Sequence, residues 1–368
     1  MRILSLLILF VFTALSGMAS ADTIPAAPKK KLSAFRRMVR NFSRVDTNYI
    51  EPQKYNFTVM LQNTTSFEGY TLKLADDHSV VFSPEPSYKL GPYFGWRFVF
   101  LGYTIDFKRL KNEAREALAF SLYAPQVGVD LFYRKSGDNY RIRGVDFGDE
   151  TVNNAMKKVD FNGFETSERG FNLYYIFNHN KFSYPAAYSQ STVQRRSAGS
   201  ALAGMSYSRH KLNVDWDKFH QLMDEVVGPG TSVAVADTSM HSTDIDYTDL
   251  SFSGGYAYNW VFARNWLFDV SLQLALGYKQ LTGKANDNSP KDFFRNFDFK
   301  NLMLDGVART GIVWNNMRWY AGASAVFHTY NYQKSKFSAN SMFGNVYIYA
   351  GYNFGLKSSY RKKHRNKK

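Results

Sequence analysis

Cysteine is absent from all 368 residues. That removes disulfides, thiolate metal ligands and cysteine nucleophiles together, so the fold is held by packing and hydrogen bonds alone. Long apolar runs are missing too: after the N-terminus nothing approaches the ~18 consecutive apolar residues of a helical membrane span. Acidic residues are missing from two segments. Residues 29–40 hold Lys29, Lys30, Lys31, Arg36, Arg37 and Arg40, and residues 357–368 hold Lys357, Arg361, Lys362, Lys363, Arg365, Lys367 and Lys368. These ends carry thirteen of the net +15 charges. The body between them is near neutral and presents neither a basic face nor a recognised module, so nucleic acid is not an expected partner. The basic ends suit anionic headgroups or an acidic envelope component instead. Proline is sparse, 10 in all, and Pro84, Pro86 and Pro92 fall where the strand patterns are hardest to bound.

What is present begins with an export signal. Arg2, the apolar run Ile3–Leu15 and Ala19-Ser20-Ala21 have the layout of a cleaved signal peptide over residues 1–21. Its apolar run is too short for an anchor. No cysteine is there to be lipidated. Residues 22–50 read as a leader containing a short basic amphipathic helix, in which Leu32, Phe35, Val39 and Phe42 form one stripe.

From residue 51 to 356 the dominant pattern has period two. In the stretch from Trp266 to Lys279 one parity carries Trp266, Phe268, Val270, Leu272, Leu274, Leu276 and Tyr278, while the other carries Asp269, Ser271, Gln273, Gly277 and Lys279. Successive strand residues face opposite ways, so this is a strand with one oily and one wet face. Aromatics stand at the ends of the oily face with aliphatics between them, the layout of a transmembrane β-strand. Mean hydropathy is −0.37 although 17% of residues are aromatic, which suits strands wetted on one face. Similar runs are expected near 55–62, 79–83, 91–107, 117–123, 127–135, 140–145, 171–178, 197–209, 250–262, 300–314, 317–332 and 342–356. Several exceed the ~5–6 residues of an ordinary globular strand and reach the ~9–11 that cross a bilayer. A soluble sandwich would alternate as well, but with shorter strands.

The connections alternate in length. Ala263-Arg264-Asn265 and Asn315-Asn316 are tight turns, whereas Lys211–Asp249, Thr282–Phe299 and Gln333–Ser341 are longer links. Short periplasmic turns and longer external loops are the rule for outer-membrane barrels. The sequence thus predicts an all-β, antiparallel transmembrane β-barrel of about twelve strands, within roughly ten to fourteen. Both termini are expected in the periplasm, with a basic tail over residues 357–368. Expected partners are the outer-membrane lipids and the machinery that inserts barrels.

The lumen-facing parity gathers Asp269, Gln273, Lys279, Asp305, Arg309, Arg318 and His328. Fixed charges and hydrogen-bonding groups in a pore set its selectivity; in a filled barrel the same groups pair with one another, with partners on neighbouring strands. The segment 213–249 is acidic, and Asp244, Asp246 and Asp249 offer oxygens of the kind calcium takes, without the spacing of a calcium loop. Trp216, Phe219, Met223 and Val226 fall at helical spacing. His220 and Asp224 lie i, i+4 there, and two ligands do not make a metal site. Ser208, His210 and His328 have the side chains of a serine–histidine hydrolase, but no Gly-x-Ser-x-Gly motif marks an activated serine. Nothing points to a cofactor.

Asp46-Thr47-Asn48-Tyr49-Ile50, Tyr88-Lys89-Leu90-Gly91 and the block from Lys181-Phe182-Ser183-Tyr184-Pro185-Ala186-Ala187-Tyr188 through Gln194 and Ser197-Ala198-Gly199-Ser200 to Gly204 carry a resemblance. The chain resembles, over roughly residues 40–356, a domain-of-unknown-function family of outer-membrane β-barrel proteins from Bacteroides-type bacteria. That implies a barrel and no established activity. The small residues of Ser183–Ala187 and Ser197–Ser200 suit a loop folded against the wall or into the lumen; a ligand cradle is the alternative. The functional expectation is a non-enzymatic barrel acting as a passive pore or envelope component. The alternatives are a surface binding or assembly protein acting through external loops 211–249 and 282–299, and a membrane lipid hydrolase.

Overall fold

The computed structural model describes the chain from residue 45 onward, apart from 75–76, 97–98, 103–104, 107–115, 137–139, 236–242, 282–297, 335–336, 359 and 362–368. The expected signal peptide, N-terminal amphipathic helix and most of the basic tail lie outside the described residues.

Every paired strand is antiparallel. One sheet of sixteen strands carries the fold. Its walls are β2 (Tyr55–Lys73), β4 (Ser87–Trp96), β5 (Val99–Gly102), β6 (Ile105–Asp106), β7 (Glu116–Tyr123), β8 (Val127–Lys135), β11 (Phe164–Ile176), β13 (Ala198–Val214), β14 (Thr243–Ala263), β15 (Trp266–Leu281), β16 (Leu302–Asn315), β17 (Trp319–Lys334) and β18 (Phe337–Leu356). From β13 to β18 each strand pairs with the next, and β18 pairs back to β2 over its whole length, from Leu356↔Tyr55 to Ser338↔Lys73. Among the described residues no pairing joins β5 or β6 to β7, so the ladder is an open path there.

The sheet nevertheless curls on itself. Seven strand-to-strand steps separate β8 from β18 along the ladder, ~34 Å at ~4.8 Å per step. Yet the rings of Phe132 on β8 and Phe343 on β18 are centred 5.8 Å apart. Arg134 on β8 lies 3.7 Å from Glu68 on β2 and 4.1 Å from the Phe343 ring centre. These pairs meet only across an interior.

Three further strands, β3 (Ser79–Pro84), β9 (Tyr140–Asp146) and β10 (Asp160–Phe161), extend the sheet beyond one end of the wall through β2–β3–β9–β10 pairing. They account for most of the excess over the expected twelve. Helices α1 (Glu150–Ala155) and α3 (Trp216–Val226) pack there, and α4 (Thr231–Val235) follows. Asp149 caps α1 and Asp215 caps α3 by accepting from backbone amides, satisfying donors that a first turn leaves unpaired. The buried face of α3, Trp216, Phe219 and Met223, is the helical stripe read from the sequence without Val226, which is exposed. It seals an aromatic core with Phe82, Phe161 and Phe164.

Two links prove shorter than expected. β13 continues to Val214 and β14 begins at Thr243, so Asp244–Asp249 form strand rather than loop. β17 and β18 are separated only by residues 335–336. Polar, solvent-end strand residues lack the apolar alternation that marked the rest. The opposite end carries the tight turns, and a small sheet of β1 (Ile50–Pro52) with β12 (Thr192–Gln194) lies there.

Candidate functional site

The burial pattern is inverted. On β15, Val270, Leu272, Leu274 and Leu276 are each about half exposed, while Asp269, Ser271, Gln273 and Lys279 are buried. In water each exposed large aliphatic side chain would forgo about 1.5–3 kcal/mol of burial, and each buried charge would need a partner. The interior supplies those partners.

Arg309 is the hub. Its Nη1 donates to Gln273 Oε1 at 2.7 Å, its Nη2 donates to Asp130 Oδ2 at 2.5 Å, and its guanidinium lies 4.8 Å from the Tyr174 ring centre. Asn172 also donates to Asp130 Oδ2 at 3.3 Å. Asp130 is on β8, five steps from β16, so the bond spans the interior. Nearer the capped end, Lys279 Nζ donates to Asp305 Oδ1 at 2.8 Å and to the Asn331 carbonyl at 2.6 Å, between the rings of Tyr247 and Tyr330. Asp249 is fully buried beside this pair. Gly277 is required there, because a Cβ would lie 2.4 Å from Asp249 Oδ1 and 3.0 Å from Asp305 Oδ2.

A second group sits one row away. Ser208 Oγ and His210 Nε2 are 2.8 Å apart, and His210 Nδ1 lies 3.6 Å from Glu168 Oε1, which accepts from Tyr70 OH at 3.1 Å. The order serine–histidine–carboxylate is that of a hydrolase. However, Ser208 is only 1% exposed, and His210 is packed against the rings of Tyr247 and Tyr330. No described opening brings a substrate to it.

The tight-turn end is closed by the segment between β11 and β13. Ser183 precedes the one-turn helix α2 (Tyr184–Tyr188), whose Pro185 suits a first-turn position. Ala186 and Ala187 are buried against Leu267, Val313, Tyr320 and Tyr349; their small size lets the helix sit against the wall. Tyr188 OH donates to Asp269 Oδ1. Gln190 Nε2 donates to Tyr349 OH at 3.0 Å and to the Ala187 carbonyl at 3.1 Å, while Asn315 Nδ2 donates to Gln190 Oε1 at 3.0 Å. Asn259 Nδ2 donates to the Ser183 carbonyl at 2.9 Å and to Gln194 Oε1 at 3.1 Å. Tyr123 on β7 packs against both tyrosines of α2, stacked on Tyr188 and edge-on to Tyr184. The segment is a plug of the chain's own making, in which Ala186 and Ala187 pack on the wall as the wall-packed reading of Ser183–Ala187 expects.

Six of the seven residues read from parity, Asp269, Gln273, Lys279, Asp305, Arg309 and His328, lie buried in this interior. Arg318 does not. It is in the turn before β17, exposed, and donates through Nε and Nη2 to Tyr352 OH at 2.9 and 2.6 Å. Met317, with φ of 81°, breaks the strand that parity had extended through Arg318. The reading missed Asp130 and Glu168, assigned Asp249 to an acidic loop instead of the interior, and missed the plug contacts of Tyr188 and Asn259. A lone Asp between Val129 and Leu131 was the available signal for the first.

The acidic stretch does not converge on a cation. Asp246 accepts from Arg209 at 2.7 and 2.6 Å and pairs with Lys211 at 3.0 Å, while Asp249 points inward. Asp224 accepts from Ser232 N and Oγ, both at 2.8 Å. Among the described residues no three His, Asp or Glu gather as metal ligands.

A clamp ties the plug's exit to the chain's entry. Arg195 donates to Glu51 Oε2 at 2.7 Å and to Asn265 Oδ1 at 2.8 Å, and Lys54 lies 2.5 Å from Glu51. Burial pushes the Glu51 carboxyl upward, but hydrogen bonds and charge from Lys54 and Arg195 outweigh it and leave it below the ordinary glutamate value. The clamp is therefore in force above the unfolded glutamate pKa of ~4.3 and is lost as pH falls through the lower folded value. Amide exchange at Val193 and Arg195 is expected to accelerate only on acidification below that point. Glu51→Gln should abolish the acid dependence, and an unchanged profile in that variant would refute the clamp.

Residues 44–354 match the family model described as Domain of unknown function (DUF4421). Among curated proteins none matches the sequence. Similar solved structures include the P. putida toluene transporter TodX, at 9% identity over 82% of this chain and 91% of that one, with a TM-score of 0.22. Another is OmpT, an outer membrane protein of Vibrio cholerae, at 8% identity over 78% and 97%, with a TM-score of 0.24. A third is the translocator domain of the autotransporter NalP from Neisseria meningitidis, at 10% identity over 81% and 88%, with a TM-score of 0.31.

Proposed function

This chain belongs to the family described as Domain of unknown function (DUF4421), and from that premise we propose that it is a non-enzymatic outer-membrane β-barrel whose lumen is filled and closed at both ends by its own residues. The inverted burial on β15 carries this reading. An apolar outer face over an interior of charge pairs and hydrogen bonds is stable only when the outside solvent is lipid. From Trp266 to Leu276 the outward face spans eleven residues, ~33 Å along the strand and ~25 Å across the membrane at a tilt near 40°, the height of a barrel's apolar band. Taking β5 and β6 as one strand, and setting aside β3, β9 and β10 as an external extension, leaves twelve wall strands.

A twelve-stranded wall is wider than the eight-stranded barrels that side chains alone can fill. The plug and the Arg309 and Lys279 pairs occupy that width, and the aromatic core under α3 closes the far end. The chain thus acts as an envelope component and not as a standing passive pore. A second reading is binding or assembly through the external segments 211–249 and 282–299. It is supported by α3 and α4, which follow the end of β13 on the capped side; deleting residues 228–242 should then abolish binding without unfolding the barrel.

The test of the main reading is fractionation of the exported protein with electrophoresis before and after boiling. The expected result is an outer-membrane protein whose unheated form migrates faster than the boiled one, and which carries no steady current in a planar bilayer. Recovery in the soluble fraction overturns the barrel, and a steady wild-type current overturns the closed lumen.

A further inference from the structure

An apolar depression of about 750 Å³ lies on the outer face where β4, β2, β18 and β17 run side by side, within the size range of ligand sites. Strand register explains it. Across these strands one row of outward positions reads Phe94, Val59, Tyr352 and Trp319, and the next row reads Pro92, Leu61, Ala350 and Ala321. A shelf of three rings and Val59 thus borders a row with two alanines and a proline, near the tight-turn end. Phe94 and Trp319 are about half exposed, so the shelf is open outward.

Arg318 stands at the edge of this shelf. Its guanidinium lies 5.3 Å from the Tyr352 ring centre and is fixed by two bonds to the neutral Tyr352 hydroxyl. Among the described residues it pairs with no carboxylate. A planar cation held by a neutral partner keeps donors free for a phosphate, which it can bind in bidentate fashion. Ring shelf, small-residue hollow and oriented cation are the three parts that a glycerophospholipid requires: an interface anchor, room for an acyl chain and a headgroup partner.

We propose that this depression is a specific glycerophospholipid site, an acyl chain lying over Pro92 and Ala350 below the Trp319–Tyr352 shelf and the phosphate taken by Arg318. The proposal rests on the membrane reading above. It is tested with the full chain folded in detergent micelles containing dioleoyl phosphatidylglycerol, the retained lipid being counted by native mass spectrometry. Wild type is expected to keep one lipid. Ala350→Trp, a lipid-facing change that fills the hollow, should cut retention about tenfold, as should Arg318→Gln. Leu274→Trp on the opposite wall should keep wild-type retention. Dioleoylglycerol, which has no phosphate, should bind equally weakly to wild type and Arg318→Gln. Equal retention by all variants, or none by a wild type that keeps its heat-modifiable mobility, overturns the site alone. Failure of wild type to show that mobility shift overturns the membrane reading with it.

Discussion

Arg309→Met is expected to destabilise the folded protein by about 3–5 kcal/mol, the cost of leaving a buried carboxylate without its cation. Asp130 has one oxygen with no hydrogen-bond partner even in the wild-type fold, and only the neutral Asn172 would remain on the other. Gln273 would lose its charged donor at the same time. The effect is large because the bond is not local: it links β16 to β8 across the interior, and no neighbouring strand offers a replacement. Urea unfolding in lipid vesicles, followed by tryptophan fluorescence, reads the loss. The double variant Arg309→Met with Asp130→Leu is expected to recover to within about 1.5 kcal/mol of wild type, since a pair replaced by apolar groups of similar volume leaves no stranded charge. If the double variant is as unstable as the single, the arginine acts by packing and not by pairing.

The double variant Tyr188→Ala, Gln190→Ala should free the plug and leave the wall intact. It removes the bonds to Asp269, Tyr349 and Asn315. At about 1–1.5 kcal/mol for each of two residues, closure weakens by about 2–3 kcal/mol, raising the open fraction roughly 30- to 150-fold. The chain's lack of cysteine makes this readable, because Ala187→Cys introduces a single thiol at a buried plug position. A water-soluble maleimide should label it about a hundredfold faster in the double-variant background than in wild type. Steady current should still be absent, because the aromatic core at the other end is untouched. Unchanged labelling would mean that apolar packing of Ala186 and Ala187 alone holds the plug.

The sequence was most legible where one face of a strand is exposed and apolar and the other buried and polar. From Leu250 to Leu356 the alternation placed five strands and two tight turns, with β15, β16 and β17 bounded to within two residues, because large apolar side chains stand at every second position of the outward face. It was least legible where both faces meet water or protein. β3 and β9 were placed to within one residue, but they pair with each other out of chain order, which no periodicity records. Asp244–Asp249 looked like an acidic loop because their strand lies near the solvent end, with Asp246 facing Arg209 and Lys211. The interior was half legible. Parity located Asp269, Gln273, Lys279, Asp305 and Arg309, but it could not say that Arg309 reaches Asp130 five strands away, since that contact depends on how far the sheet curls. Arg318 was misplaced by one turn residue, enough to reverse the face.

The pairing of β18 with β2 sets an order of events in time. Tyr55 and Leu356 are roughly three hundred residues apart, so this seam has nearly the greatest loop closure the chain can demand and forms late. The plug, Arg309 and Asp130 lie on segments between those two strands. In the finished fold Tyr188 of the plug is bonded to Asp269, and Arg309 to Asp130, inside the curl that this seam completes on one side. A strand synthesised early, β2, is then among the last to find its partner.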